Sequence, residues 1–169
     1  MINPSVTLRP VMADDAGFLD DVYASTRQEE LAATDWTDVQ KRDFCRVQHS
    51  AQTSHYRIHY PHAERRVILF REQPAGRLYV DRWNTEIRIM DLALLPAHRG
   101  QGIGTHLLRD LIQEAAETGK SLSIHVERHN PALRLYQRLG FQLLEDKGIY
   151  LLLQCRPSSA PTAFATGGR

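Results

Sequence analysis

The sequence predicts a mixed α and β fold, on three observations. Residues 86–108 read as an apolar strand, a glycine loop and the opening of an amphipathic helix. Leu122–Val126 returns as an apolar strand after that helix, and the runs 67–83 and 141–154 each carry a turn signal in their middle. Strand, helix and strand in that order imply a right-handed crossover between parallel neighbours, with a ligand cleft at the carboxyl ends of the strands.

Each element has its own local reason. Val6–Val11 alternates as a strand, and Pro10 marks an edge or an end. Asp14 and Asp15 open a helix whose Phe18, Leu19, Val22 and Tyr23 form one face. Residues 24–36 lose that period and read as a loop. Thr37 with Gln40 makes a capping box for a second helix, which runs past Phe44, Val47 and Ala51 to about Tyr60, where Pro61 ends it. Val67–Phe70 is a short strand, Gln73–Gly76 a turn, and Gly76–Trp83 the partner strand. Trp83–Thr85 turns the chain into the strand Glu86–Leu95, stopped by Pro96. The next helix carries Ile103, Leu107, Leu108, Leu111, Ile112, Ala115 and Ala116 on one stripe, and Gly119 closes it. Asn130 as N-cap, Pro131 in the first position and Gly140 as a left-handed stop define a short helix over 131–139. Phe141–Glu145 and Ile149–Gln154 flank Asp146-Lys147-Gly148 as a terminal hairpin, and Arg156–Arg169 reads as a disordered tail.

Composition bounds the function classes. With 169 residues, 42% hydrophobic and 24% charged, the chain has enough apolar material for one domain, expected over residues 1–155. Its 21 basic and 20 acidic residues leave a net charge of +1, which argues against nucleic acid as a partner. No apolar stretch has the length of a membrane span or a leader, so the expectation is a cytoplasmic protein without a membrane partner. Cys45 and Cys155 lack C-x-x-C spacing and read as reduced thiols.

The chemistry centres on Leu92–Leu108. Glycines at 100, 102 and 104 let backbone approach a ligand, and the unpaired N–H groups of a helix start favour an anion, beside the fixed charge of Arg99. A nucleoside-triphosphate loop would need Lys and then Ser/Thr after its last glycine, but Thr105 and His106 follow Gly104. A dinucleotide fingerprint fails in both registers, because its third glycine would fall on Thr105 or Leu107. What fits is Arg99-x-x-Gly102-x-Gly104, and with it the segment Asn130-Pro-Ala-Leu-Arg-Leu-Tyr-Gln-Arg-Leu-Gly-Phe141. In both motifs, and in their order, the chain resembles the GNAT acetyltransferase superfamily. Its pyrophosphate loop reads Q/R-x-x-G-x-G/A, and its N-x-x-A-x-x-x-Y-x-x-x-G-F-like segment carries a tyrosine beside the coenzyme sulfur. Ala132 departs slightly, standing two residues after Asn130 rather than three.

The resemblance covers about residues 5–155. It implies an α+β fold with a central, mixed but mostly antiparallel twisted sheet of about six to seven strands. Helices would lie on both faces, and a strand–helix–strand–helix core would bind acetyl-CoA. It also implies acetyl transfer to a primary amine of a small molecule or peptide by direct attack on the thioester, with acetyl-CoA as co-substrate and no metal. Coenzyme contacts would come from Leu92, Leu94, Arg99, Gly100, Gln101, Gly102, Ile103, Gly104, Thr105, Asn130 and Tyr136. Backbone groups of Leu92 and Leu94 would serve the pantetheine arm and the thioester oxygen. Tyr136 would be the acid that protonates the leaving sulfur, with half-buried packing as its plainer reading. Glu86 leads as the base, against a solvated strand-start charge, with Asp91 and Glu127 as alternatives. In a regular strand Glu86, Arg88, Met90 and Leu92 share one face and Asp91 the other.

The acceptor side is less constrained. Arg27, in the aperiodic stretch, and Gln52 and Tyr56, on the second helix, are the candidate acceptor-binding residues. Arg27 could hold an acceptor carboxylate, or could simply pair with Glu29 or Glu30. His55, His59 and His62 lack the carboxylate or thiolate context of a metal site and read as exposed helix histidines. A non-catalytic acyl-CoA-binding sensor or interaction module is the alternative function. A nucleotide-binding oxidoreductase is disfavoured by the glycine spacing. The sequence leaves open the acceptor, the acyl length and the oligomeric state, a homodimer among the options.

Overall fold

The computed structural model describes residues 5–158. Its strands are β1 (Val6–Pro10), β2 (Glu64–Phe70), β3 (Gln73–Arg82), β4 (Glu86–Leu94), β5 (Ser121–Glu127), β6 (Gln142–Asp146) and β7 (Tyr150–Cys155). The helices are α1 (Ala16–Ala32), α2 (Asp38–His59), α3 (Ile103–Thr118) and α4 (Leu133–Arg138). The seven strands form one sheet in the order β1-β2-β3-β4-β5-β7-β6. β1–β2, β2–β3, β5–β7 and β6–β7 are antiparallel, and β5 lies beside β4, where the crossover reading puts it. Most of the expected tail, from residue 159 on, lies outside the described residues.

The contacts fall into two compact units, Met1–Asp81 with Ile89–His106 and Arg82–Arg88 with Leu107–Arg169, so β4 and α3 each contribute to both. In the first unit Val22 of α1, Val67 and Ile68 of β2 and Ile89 of β4 are almost fully buried. In the second, the apolar stripe of α3 supplies Leu108, Leu111 and Ala115, joined by Leu122, Ile124 and Val126 of β5 and Leu151 and Leu153 of β7. Each such Val, Leu or Ile side chain contributes on the order of 1.5–3 kcal/mol by leaving water.

Three sequence expectations are corrected. Residues 24–32 are helix, not loop. Their polar side chains hid the continuation: Ser25 and Thr26 hydroxyls donate back to the carbonyls of Val22 and Tyr23, Arg27 pairs with Glu30, and Leu31 is buried. The turn between β2 and β3 is Arg71-Glu72, both at positive φ, so Gln73–Gly76 belongs to β3. Gly76 is needed instead for close approach, since a Cβ there would stand 2.1 Å from the carbonyl oxygen of Ala93 in β4. Finally, α4 begins two residues late. Asn130 Oδ1 accepts from Ala132 N–H (2.8 Å) and closes a turn ahead of the helix rather than capping its first residue.

Candidate active site

After β4 the chain runs through a short 3-10 turn, Pro96–His98, into the glycine loop. Gly100 (φ 72°) and Gly102 (φ 80°) take left-handed conformations that side-chain-bearing residues avoid, and a Cβ at either, or at Gly104, would meet nothing within 4 Å. α3 starts at Ile103, and the bond from His106 N–H to the Gly102 carbonyl closes its first turn. The N–H groups of Ile103, Gly104 and Thr105 therefore sit in the turn that has no helical acceptors, at the positive end of a 16-residue helix. Open space, left-handed glycines and free helix-start donors together suit a pyrophosphate. The side chains of the loop also bond within the protein. Arg99 Nε donates to the Leu94 carbonyl (3.0 Å) and its Nη2 lies 3.5 Å from both Ser25 oxygens, while Gln101 donates to the Ala97 carbonyl. These bonds tie the loop to the end of β4 and to the turn before it.

A second arrangement in the same unit is a buried polar chain. Arg77 of β3 is 1% exposed. Its Nη2 donates to Asp91 Oδ2 (2.6 Å) and Gln52 Oε1 (3.1 Å), and its Nη1 lies 3.1 Å from His49 Nε2. Arginine cannot accept a hydrogen bond, so His49 Nε2 is the acceptor. The imidazole proton then sits on Nδ1, which donates to Asp20 Oδ1 at 2.6 Å. The histidine is neutral in this arrangement. Tyr23 and Tyr79 flank the guanidinium with their rings, and Tyr56 stacks edge-on to Tyr79 while its hydroxyl lies 3.4 Å from the Met90 carbonyl. Burial, reinforced by the Asp91 charge, pushes the Tyr56 phenol above its ordinary range.

Of the predicted acceptor residues, Gln52 and Tyr56 belong to this chain of contacts. Arg27 has its guanidinium on the Tyr23 hydroxyl and on Glu30 (2.7 Å). Asp20, His49 and Arg77 were not singled out from the sequence. The one available signal is a charged residue inside the otherwise apolar run Gly76–Val80.

In the second unit Tyr136 is 4% exposed, its ring set edge-on against Phe141 at 5.5 Å. Glu86 Oε2 accepts from Arg88 Nη2 (3.1 Å), and Arg88 also donates to Ser123 and covers the Trp83 ring. With Trp83, Lys120 and Gln154, Glu86 lines an open cleft of this unit. Burial along β4 alternates, Ile87, Ile89 and Ala93 inward, which gives Asp91 their parity and Glu86 the other. His55 and His59 lie on exposed positions of α2 with ring centroids 4.3 Å apart, and no cluster able to hold a metal occurs among the described residues.

Residues 28–141 match the model of the acetyltransferase (GNAT) family. Streptothricin acetyltransferase of Streptomyces lavendulae is 41% identical over 61 residues, 35% of this chain and 32% of that protein. The spermine/spermidine N(1)-acetyltransferase of Bacillus subtilis is 37% identical over 70 residues, 40% of each. The chain thus spans about a third to two-fifths of the length of these relatives. In overall fold, the PaiA N-acetyltransferase of Thermoplasma acidophilum, solved with coenzyme A, superposes with a TM-score of 0.68 at 16% identity, over 90% of this chain and 99% of that one. An acetyltransferase of Thermus thermophilus superposes with a TM-score of 0.63 at 23% identity, over 93% and 99%. The glycine loop, the tyrosine segment, the sheet order and the matching family model converge: the chain belongs to the acetyltransferase (GNAT) family.

Proposed function

We propose that the protein is an acetyl-CoA-dependent N-acetyltransferase acting on a primary amine of a small molecule or peptide. The observation that carries this reading is the opening of α3, where two left-handed glycines expose helix-start N–H groups with no side chain in front of them. Spermine and spermidine, named as substrates of the Bacillus subtilis relative, are polyamines, which supports a small-molecule amine in particular.

The chemistry assigns each group a task. An alkyl ammonium, with a pKa near 10.4, must first lose a proton to a base or a water chain. The freed lone pair forms a C–N bond to the thioester carbon, and the resulting oxyanion is stabilised by backbone donors of β4 at Leu92 and Leu94. The C–S bond then breaks, Tyr136 gives its hydroxyl proton to the departing thiolate, and the nitrogen releases its second proton to solvent. Glu86 is the proposed base. It is paired with Arg88, and it stands six positions before Leu92 along the strand, so it would work through water. Asn130, which already orders the turn before α4, is the proposed side-chain contact to the coenzyme.

Following free thiol release from acetyl-CoA across a panel of amines tests the reading. Turnover with at least one primary amine supports it. Tight acetyl-CoA binding without turnover on any amine would replace it with a non-catalytic acyl-CoA-binding role.

A further inference from the structure

Asp91, on β4, is the more buried of the two carboxylates of the Arg77 cluster, and it has a hydrogen-bonding oxygen to spare. Its Oδ2 takes the Arg77 bond at 2.6 Å, while Oδ1 has no partner among the described residues and is not sealed from water, the side chain being 14% exposed. The guanidinium fixes the carboxylate in place, and the guanidinium is fixed in turn by His49 and Gln52. Nearby, Tyr56 presents a half-buried ring and hydroxyl. The charges do not cancel. Asp20 and Asp91 are anionic, Arg77 is cationic, His49 is neutral in the tautomer its partners require, and Arg27 is already balanced by Glu30. One negative charge is left over beside an aromatic wall, an arrangement that favours a cation over an anion. Asp91 also immediately precedes Leu92, whose backbone is assigned above to the thioester.

We propose that Asp91 Oδ1 receives the ammonium group of the acceptor, and that the acceptors are alkyl amines and diamines without a carboxylate beside the reacting nitrogen. The inference rests on the acetyltransferase reading and narrows its substrate class. A carboxylate next to the incoming ammonium would face Asp91 and Asp20 with no unpaired cation among the described residues of the cluster to meet it, because Arg77 and Arg27 have their strong donors engaged. The second unpartnered atom of the cluster, the buried Nε of Arg77, is a donor on a side chain 2% exposed, and it cannot serve a carboxylate without displacing the tyrosine rings packed on it.

The test is a matched pair on the wild-type protein, 1,5-diaminopentane against the α-nitrogen of lysine, which differ only by the carboxylate, with the acetylated nitrogen of the lysine product identified by mass spectrometry. The diamine should have the higher kcat/KM by about tenfold or more. Lysine acetylated at its α-nitrogen as well as the diamine is acetylated would overturn the inference while leaving the acetyltransferase reading intact, whereas a wild-type protein that binds no acetyl-CoA would overturn both. As a second arm, Asp91→Asn should raise the KM for 1,5-diaminopentane by about tenfold with acetyl-CoA affinity unchanged, the latter also reporting that the variant is folded. An unchanged diamine KM in a variant that binds acetyl-CoA would equally overturn it. Should Asp91→Asn fail to fold with Arg77 left unpaired, the matched pair alone decides.

Discussion

At the scale of single residues, charge and burial make the sharpest statements. Asp15 is buried and receives two hydrogen bonds from Arg9 (2.8 Å each) and one from Met12 N–H; the Arg9 bonds lead in holding its carboxyl down at about 2, against the burial that would raise it. Because that value lies below the roughly 3.9 of an unfolded chain, the stabilisation is fully present above about pH 4 and is lost as pH falls through 2. Asp15→Asn should therefore cost about 1–2 kcal/mol at pH 7, the partly exposed Arg9 screening the rest. Urea unfolding at pH 7 and near pH 2 should show that gap closing. Tyr136→Phe keeps the ring on Phe141 and removes only the hydroxyl; steady-state kinetics should show kcat down by about 100-fold with little change in acetyl-CoA affinity. Tyr136 could be singled out because its segment is a local motif. His49 and Arg77 could not, since their meaning comes from a contact between α2 and β3 across 28 positions, which no local period records.

At the scale of elements, legibility followed how local the stabilising interaction is. The Thr37–Gln40 capping box and the left-handed glycines at 119 and 140 are each contained within one turn, the apolar stripe of α3 lies within one helix, and each is legible where it lies. The far half of α1 was lost because its helix is sustained by hydroxyl back-bonds, an ion pair and the burial of Leu31, features that look polar and aperiodic in a sequence. Gly76 illustrates a tertiary requirement disguised as a turn signal. Gly76→Ala should destabilise the fold by about 2–4 kcal/mol, seen as a lowered unfolding midpoint, because the new methyl would overlap the Ala93 carbonyl and press on Leu94.

At the scale of the whole molecule, the family follows from two short motifs and the elements between them, and the acceptor follows from neither. The proposed coenzyme contacts are made by backbone, and such contacts leave a glycine pattern in the sequence; the proposed acceptor contacts are side chains gathered from α1, α2, β3 and β4, which no local pattern marks. Saturating acetyl-CoA should stabilise the fold, by about 2.7 kcal/mol at a hundred times its Kd, which a thermal melt with and without ligand would read. The claim on which everything else depends is that the start of α3 binds the pyrophosphate. Gly104→Asp tests it cleanly. That position has ordinary backbone angles and open space, and an acidic residue in the first helical turn favours the helix, so the fold should be unharmed while a negative charge enters the anion site. Calorimetric titration of acetyl-CoA should show one site in the wild type and affinity weakened by about 100-fold or more in a folded Gly104→Asp variant. A folded variant that binds acetyl-CoA as tightly as the wild type would contradict the account.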